Sequence, residues 1–308
     1  MSSTRDGVLL LDKPAGLTSF GAVERVRRWF RIPKVGHTGT LDPFATGLLV
    51  LCLGKATRLS HYITSWDKEY EGTIRLGAET DTDDATGSVV FAADAKGVTR
   101  GSLEEALHPF RGSIEQIPPR FSAKKKEGVP SYRLARRGEA VELAPVSVRI
   151  HRLEIVSLDL PLVHFQARCS KGTYMRSVAR DLGRAMGCGA HLAGLRRVAI
   201  GHLRVEEALT LEEVKAALGE DPALLLWPLE RVLSRWVQVP LTQEGAQKVR
   251  HGQDLPEEVI QMGGAVPIHA GDCVRLVGKS GEFLAIGKVV QGAPDLIIHP
   301  EQVWAERQ

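Results

Sequence analysis

Six consecutive apolar residues, Leu48–Leu53, form the longest purely apolar run in the chain. A helix that spans a membrane needs about 20 such residues, so this run is too short to be one. A short, continuous apolar segment is typical of a strand that is buried on both faces. The run therefore predicts a sheet strand deep inside a soluble protein, and no segment of the sequence indicates a membrane span or a secretory signal.

Local patterns predict further elements near the N-terminus. The apolar segment Val8–Leu11 is read as a strand that Pro14 stops. Thr18 or Ser19 is in position to cap the helix that follows. In the segment DKEYEGTIRLG, positions 70, 72, 74 and 76 share one face and charged or polar residues share the other. This alternation predicts a strand with Tyr70 facing inward.

The middle of the chain is predicted to continue with strands and then a helix. Residues 146–169 are dominated by β-branched and apolar side chains, with a turn expected at 159–161. We expect Thr173 to cap a helix that runs through Met186. The apolar stripe of this helix is expected at positions 175, 178, 182 and 185.

The length of 308 residues suggests two domains. Thr210 and Glu213 have capping-box spacing at the start of a helix near the end of the first domain. Farther on, DCVRLVG and EFLAIGKVV, joined by residues 279–281, have the pattern of a hairpin in a small β module. We therefore expect a mixed α/β domain at residues 1–233 and a β-rich domain at residues 234–308.

Composition and spacing exclude several functional classes. With 43% hydrophobic and 25% charged residues, the chain is not a disordered protein. Its four cysteines lie far apart without a C-x-x-C pair, which indicates buried thiols instead of a zinc ribbon or a disulfide framework. The histidines form no close-spaced pair, and no Walker motif or G-x-S-x-G elbow is present. No metal and no cofactor are expected.

Positive charge is clustered in the first domain, although the net charge is only +3. The clusters are Arg25, Arg27, Arg28, Arg31 and Lys34; Arg120, Lys124, Lys125, Lys126, Arg133, Arg136 and Arg137; and Lys171, Arg176, Arg180 and Arg184. A single run of this kind is usually a solvated surface. Three clusters with interleaved aromatic residues favour a polyanion with exposed bases, and RNA in particular.

Asp42 lies in the segment GHTGTLDPFATGLL, where Pro43 disfavours helical geometry at the residue before it. Gly36, Gly39 and Gly47 permit tight turns and close approach of the backbone. The local pattern leaves two interpretations open. Asp42 is either a turn or capping residue, or a fixed carboxylate beside a strand that serves as nucleophile or base.

Arg176 falls in the first turn of the predicted helix, where the helix dipole disfavours a cation. Either a buried carboxylate or phosphate partner offsets this cost, or the side chain simply points into water. Asp81, Asp83 and Asp84 lack the ligand spacing of a calcium-binding loop, so a polar turn is predicted there.

Several separate motifs, taken in order, resemble those of one enzyme family. They are LDKPAGLTS at 11–19, GHTGTLDPFATGLL at 36–49, KEYEGTIRLG at 68–77, ETDTDDATG at 79–87, PPRFSAKKKEGVPSYRLARRG at 118–138 and KGTYMRSVARDLG at 171–183. On these motifs the chain is similar to the bacterial TruB family of tRNA pseudouridine-55 synthases, nearly end to end. The C-terminal hairpin resembles a PUA module, which is an RNA-binding β fold.

The resemblance implies an α+β catalytic domain with a mixed, largely antiparallel central sheet, flanking helices and a basic RNA-gripping insertion. It implies that Asp42 is the essential carboxylate and that Arg176 pairs with it and lowers its pKa. It also implies that Tyr70 stacks on the target base and removes the C5 proton. Of these two roles, stacking suits a phenol that titrates near ~10 better than proton abstraction does. The remaining implied roles belong to His37, which props the RNA, Tyr174 and Leu195, which line the uracil pocket, and Lys13 and Pro14, which support the site from behind.

The implied substrate is the T arm of tRNA, whose uridine at position 55 must be extruded from the folded loop. Its isomerisation to pseudouridine adds and removes nothing, in agreement with the missing cofactor motifs. The implied contacts to the phosphates come from the basic insertion and the arginine-rich helix, namely Lys124, Lys125, Lys126, Arg136 and Arg180. No oligomer interface can be read from the sequence, so we expect a monomer. Because the sequence indicates neither a membrane span nor a secretory signal, we expect it in the cytoplasm.

Two other hypotheses compete with the stand-alone tRNA isomerase. One is an RNA-binding or RNA-folding protein with a vestigial site, which retention of Asp42, Tyr70 and Arg176 together argues against. The other is the guide-RNA-dependent catalytic subunit of H/ACA particles. Those subunits typically carry N-terminal extensions, whereas LDKP begins here at residue 11, which favours the stand-alone enzyme.

Overall fold

The computed structural model describes residues 6–122, 124–126, 129–131, 137, 143–219, 221–261, 268–292 and 296–304. The strands are β1 (Gly7–Lys13), β2 (Val35–His37), β3 (Thr46–Leu53), β4 (Lys68–Leu76), β5 (Ala78–Thr80), β6 (Val89–Ala92), β7 (Gly112–Gln116), β8 (Lys125–Lys126), β9 (Val129–Pro130), β10 (Val146–Asp159), β11 (Leu162–Cys169), β12 (Ala190–Ile200), β13 (Leu203–Arg204), β14 (Gln238–Pro240), β15 (Cys273–Val277), β16 (Phe283–Gln291) and β17 (Leu296–Val303). The helices are α1 (Ser19–Phe30), α2 (Ser60–Ser65), α3 (Arg100–Leu107), α4 (Met175–Ala185), α5 (Leu211–Ala217), α6 (Leu229–Val232) and α7 (Gln243–Arg250).

The central sheet has the strand order β1-β3-β12-β4-β11-β10-β7, with β2 paired to β3 and β13 paired to β12. Its strand pairs are antiparallel except for the short parallel contact between β12 and β3. The expected mixed, largely antiparallel sheet is therefore confirmed. The parallel contact matters for function because it brings Arg197 beside Gly47, just beyond the loop that carries Asp42.

The apolar run in β3 is buried on both faces, as predicted. Leu49 and Leu51 pack into a cluster with Val26 of α1. Leu48 and Val50 face the other way, into a cluster that includes residues of α2 and of the C-terminal part of the chain. All six residues from 48 to 53 are fully buried. This strand thus anchors the segment that precedes it, which is the Asp42 loop.

Helix α4 packs on the sheet through Met175, Val178 and Leu182. These three positions of the predicted stripe are confirmed, whereas the prediction for Ala185 is wrong because that residue, the last of the helix, is exposed. The same cluster contains Leu103 of α3. The two helices together cover the face of the sheet toward which Tyr70 is directed.

The predicted cap of helix α4 is also wrong. The helix begins at Met175, and the side chain of Thr173 donates to the Ser170 carbonyl (3.0 Å) instead of capping it. The N-cap position belongs to Tyr174, whose backbone N–H donates to the side-chain oxygen of Gln116 (2.8 Å). A residue 58 positions away in the chain thus supplies the acceptor, which a local pattern does not reveal.

The other predicted termini and the C-terminal hairpin are confirmed. The Thr18 side chain accepts from the Gly21 N–H at the start of α1, and Thr210 and Glu213 form the capping box of α5. Strands β15 and β16 pair antiparallel within a second sheet of order β14-β15-β16-β17. The C-terminal part of the chain is therefore β-rich, and the boundary between residues 233 and 234 stays a prediction.

Gly47 shows why the Asp42 loop needs glycine where it joins β3. Its φ is +99°, and a Cβ placed there would lie 2.3 Å from the Arg197 carbonyl oxygen. We expect Gly47→Ala to destabilise the protein by about 3 kcal/mol, since it combines backbone strain with a clash between two paired strands. The control is Gly36→Ala, because nothing lies within 4 Å of a Cβ at Gly36. Equal thermal unfolding midpoints for the two variants would contradict this close approach.

Candidate active site

The loop between β2 and β3 holds Asp42 in place through contacts on both sides. The Ser19 hydroxyl donates to the Leu41 carbonyl (3.0 Å) and accepts from the Leu41 N–H (2.8 Å). The ammonium group of Lys13 donates to the carbonyls of Leu17 (2.8 Å) and Pro43 (3.4 Å), as well as to that of the neighbouring Pro14. Burial lowers the pKa of Lys13 to about 8, although the Asp42 carboxylate opposes this shift. Lys13 thus lies behind the loop, where the resemblance places it.

Asp42 and Arg176 form a bidentate ion pair. The Arg176 Nε–H donates to Asp42 Oδ2 and an Nη2–H donates to Oδ1, both at 2.8 Å. The Arg176 side chain is only 4% exposed, whereas that of Asp42 is 30% exposed. The arginine at the start of α4 therefore has a carboxylate partner. The hypothesis that Arg176 points into water is wrong. The two hydrogen bonds from Arg176 fix the Asp42 carboxylate in position, as the hypothesis of a fixed carboxylate requires.

The remaining contacts of Arg176 tie two further segments to the site. Its guanidinium also donates to the carbonyls of Thr82 (3.2 Å) and Phe121 (3.0 Å). Buried Asp84 lies close by, with its Oδ2 3.8 Å from Arg176 Nε. Asp84 accepts hydrogen bonds from Thr86 and Thr82, so the predicted polar turn is present. The sequence did not indicate that this turn is part of the site.

The pKa of Asp42 is raised above its ordinary value, because burial penalises the charged form. Arg176 acts in the opposite direction through its charge and its hydrogen bonds, and nearby Asp84 adds to the increase. Arg176 thus lowers the pKa of Asp42, as expected. The effect of burial is larger, so the pKa of Asp42 in the folded protein is nevertheless above its ordinary value.

Asp42 and Arg176 open into a cavity of about 240 Å³. Tyr70, Tyr174 and Leu195 line the same cavity, so the structure brings together the residues to which the resemblance gives the target base. Tyr70 is directed inward, as predicted, and packs against the main apolar cluster. Burial raises the pKa of both tyrosines, so both phenols are protonated at neutral pH.

Arg197 and Lys68 also line this cavity and were not singled out from the sequence. Both side chains are buried. The only signal for Arg197 in the local sequence is its position two residues after Leu195, which puts both residues on one face of a strand. In the structure this is the inward face of β12, where Arg197 lies opposite Tyr70 of β4. Burial lowers the pKa of Lys68 to about 8, and the positive charge of Arg197 acts in the same direction.

A second depression of about 660 Å³ adjoins the cavity and shares Asp42 and Arg176 with it. His37 lies in its wall with the aromatic residues Phe20 and Phe121. Burial lowers the pKa of His37, so its imidazole is neutral at neutral pH. The depression continues the site outward beside His37, the residue to which the resemblance gives a contact with the RNA.

The residues that were predicted to contact tRNA phosphates differ in their burial and in their contacts. Lys124 is half-buried, and the backbone of residues 125 and 126 forms β8, which pairs with β9. Arg136 lies outside the described residues. Arg180 is buried, and its guanidinium donates to Asp83 Oδ2 (3.1 Å) and to Asp181 Oδ1 (2.8 Å). These contacts tie Arg180 to the turn at residues 81–84, and its contact with RNA stays a prediction.

The described residues contain no group of three or more histidine, cysteine or acidic side chains arranged to hold a metal ion. Of the described helices, none combines the length and apolar character that a membrane crossing requires.

Two family profiles match consecutive parts of the chain. Residues 27–175 match the N-terminal domain of the TruB family pseudouridylate synthases, and residues 176–234 match the C-terminal domain of tRNA pseudouridylate synthase B. The segments of the candidate site from the Asp42 loop to Arg176 and Arg197 lie within these two matches.

Similar proteins cover the chain almost completely. The tRNA pseudouridine synthase B of Cupriavidus metallidurans is 44% identical over 96% of this chain and 93% of that protein, and that of Geobacter sulfurreducens is 42% identical over 93% and 94%. Among solved structures, a chain of an H/ACA RNP bound to a substrate RNA containing 2′-deoxyuridine has a TM-score of 0.75 at 24% identity, covering 99% of this chain and 86% of that one. A chain of a Cbf5-Nop10-Gar1 complex has a TM-score of 0.74 at 25% identity, covering 98% and 85%. The sequence matches and the fold agree, and the chain belongs to the TruB family of pseudouridylate synthases.

Proposed function

We propose that this enzyme isomerises the uridine at position 55 in the T loop of tRNA to pseudouridine, with Asp42 as the essential carboxylate. The observation that carries the proposal is the bidentate Asp42–Arg176 pair at the wall of a cavity that Tyr70 also lines. The relatives named tRNA pseudouridine synthase B support tRNA as the substrate.

In this reaction the N1–C1′ bond breaks, the uracil turns, and C5 bonds to C1′. C5 loses a proton and N1 gains one, so the product is an isomer of the substrate. Asp42 serves in its ionised form, whether it adds to the base, adds to C1′ or abstracts a ribose proton. The target base must leave the folded T loop to reach the cavity, and contacts with Tyr70, Tyr174 and Leu195 offset the cost of extrusion.

We also propose that the chain acts without a guide RNA and that its C-terminal sheet, in residues 234–308, is a PUA-like RNA-binding module. The second family match ends at residue 234, which supports a boundary there. The monomeric state and the cytoplasmic location stay predictions.

The test is release of tritium from unmodified tRNA labelled at uridine C5, with the protein as the sole macromolecule added. One equivalent of tritium per tRNA, and loss of that release when position 55 is changed to cytidine, is the expected result. Tight binding without release would support an RNA-binding protein instead. Release that requires an added guide RNA and protein partners would support the H/ACA-type alternative.

Replacing Lys124, Lys125 and Lys126 by glutamine is expected to weaken tRNA binding and to flatten its dependence on salt. Each lysine that contacts a phosphate contributes about one to the slope of log K against log salt. The control is the triple change of Lys55, Lys96 and Lys215 to glutamine, because these exposed lysines are dispersed over the surface. Equal salt slopes in filter-binding titrations of the two variants would remove the basic insertion from the interface.

A further inference from the structure

Arg197 is a buried cation that no described carboxylate neutralises. Its side chain is 1% exposed. Its guanidinium donates to the backbone carbonyls of Leu48 (2.8 Å) and Gly39 (3.0 Å). Within the described part of the chain, no aspartate or glutamate oxygen lies within 4.0 Å of it. A buried charge without a counter-ion is costly, so its presence requires an explanation.

The neighbouring arginines of the site are neutralised. Arg176 pairs with Asp42, and Arg180 pairs with Asp83. Arg196, the residue before Arg197, faces the other side of the sheet and pairs with Asp12 through two hydrogen bonds of 3.0 and 2.6 Å. Arg197 is therefore the exception among these four arginines.

The field of Arg197 reaches the cavity. Burial lowers the pKa of Lys68, of His37 and of Lys13, and the charge of Arg197 lowers each of them as well. The same charge opposes the rise that burial causes in the pKa of Tyr70. Arg197 lines the cavity together with Asp42 and Tyr70. The cavity lining thus carries excess positive charge, because Lys68 and Arg197 add to the paired charges of Asp42 and Arg176.

The proposed reaction, on which this inference rests, produces an anion in that cavity. When the N1–C1′ bond breaks, its electron pair stays on the uracil, which becomes an anion, and C1′ is left deficient in electrons. The pair is returned when C5 bonds to C1′ and the C5 proton departs. Whichever of the routes Asp42 follows, the detached base carries negative charge until the new bond forms.

We propose that the positive charge of Arg197 stabilises the detached uracil anion, while its hydrogen bonds to the Gly39 and Leu48 carbonyls hold the two ends of the Asp42 segment beside that base. A fixed cation in a water-poor site stabilises a developing negative charge without reorganisation. The backbone carbonyls orient the guanidinium and do not neutralise it.

The test compares Arg197→Lys, which keeps the charge, with Arg197→Gln, which keeps a hydrogen-bond donor and loses the charge. Arg196→Gln is the matched control, one residue away on the opposite face of β12. For each variant, the single-turnover rate of tritium release is measured with tRNA at saturation, along with the dissociation constant for tRNA and the thermal unfolding midpoint.

We expect Arg197→Gln to slow the single-turnover rate by about 10²- to 10³-fold. Arg197→Lys should stay within about tenfold of the wild type, and the dissociation constants should change little. Equal rates for the lysine and glutamine variants, or a glutamine variant as active as Arg196→Gln, would overturn the role of the charge.

If Arg197→Gln does not fold, Arg197→Lys decides alone, since a rate as low as that of Asp42→Asn would contradict the proposal. A wild type that releases no tritium would contradict the proposed function and remove the basis for this role. An active wild type with an active Arg197→Gln variant would contradict the role alone.

Discussion

Asp42→Asn is expected to reduce tritium release from tRNA by at least about 10³-fold, because an amide does not ionise and is neither a nucleophile nor a proton acceptor of comparable strength. The dissociation constant for tRNA is expected to stay within about tenfold of the wild type, because phosphate contacts dominate binding. The variant keeps the side-chain shape and one oxygen for Arg176. Tritium release and filter binding on the same protein preparation measure the two effects.

The matched control for this experiment is Asp12→Asn. Asp12 accepts two hydrogen bonds from Arg196, as Asp42 does from Arg176, but does not line the 240 Å³ cavity that Asp42 shares with Leu195. Both substitutions remove one negative charge and break one arginine fork, so both should lower the unfolding midpoint. Only Asp42→Asn should lose activity. If binding were lost in step with activity, Asp42 would be a structural residue.

The elements predicted from periodicity are those whose contacts lie along one strand or one helix turn. The continuous apolar run at 48–53 and the alternation around Tyr70 are direct consequences of burial on two faces and on one face. The cap of α4 was not predictable in this way. The backbone N–H of its N-cap residue, Tyr174, donates to Gln116, which a distant part of the chain supplies.

The same limit applies to the candidate site. The local pattern left Asp42 open between a turn residue and a fixed carboxylate, because Arg176, which decides the matter, is 134 residues away in the chain. The family resemblance supplied that pairing. Asp84 and Arg197 were missed because a charged side chain is not expected to be buried. Their partners also lie far away in the chain: Arg197 donates to the carbonyls of Leu48 and Gly39, and Asp84 lies beside Arg176.

Arg176→Gln is expected to slow tritium release at neutral pH by at least about 100-fold. The guanidinium positions both oxygens of Asp42 and also holds the Phe121 carbonyl at the start of the basic insertion. Glutamine keeps a donor but loses the charge and the fork, so Asp42 is held less firmly. Arg196→Gln, which breaks the fork to Asp12, is the control for the loss of an arginine–carboxylate pair.

The change should also have a signature in the pH dependence. Asp42 acts as an anion, burial and Asp84 raise its pKa, and Arg176 opposes that rise. Removing the guanidinium leaves Lys13 as the remaining group that lowers the pKa, so the carboxyl stays protonated to a higher pH. The acidic limb of the single-turnover rate should therefore move to higher pH in Arg176→Gln, and raising the pH should recover part of the lost rate. The limb should not move in Arg196→Gln. A slow Arg176→Gln variant with the acidic limb of the wild type would show that Arg176 only positions Asp42, because a cation that stabilises the carboxylate must shift its titration when it is removed.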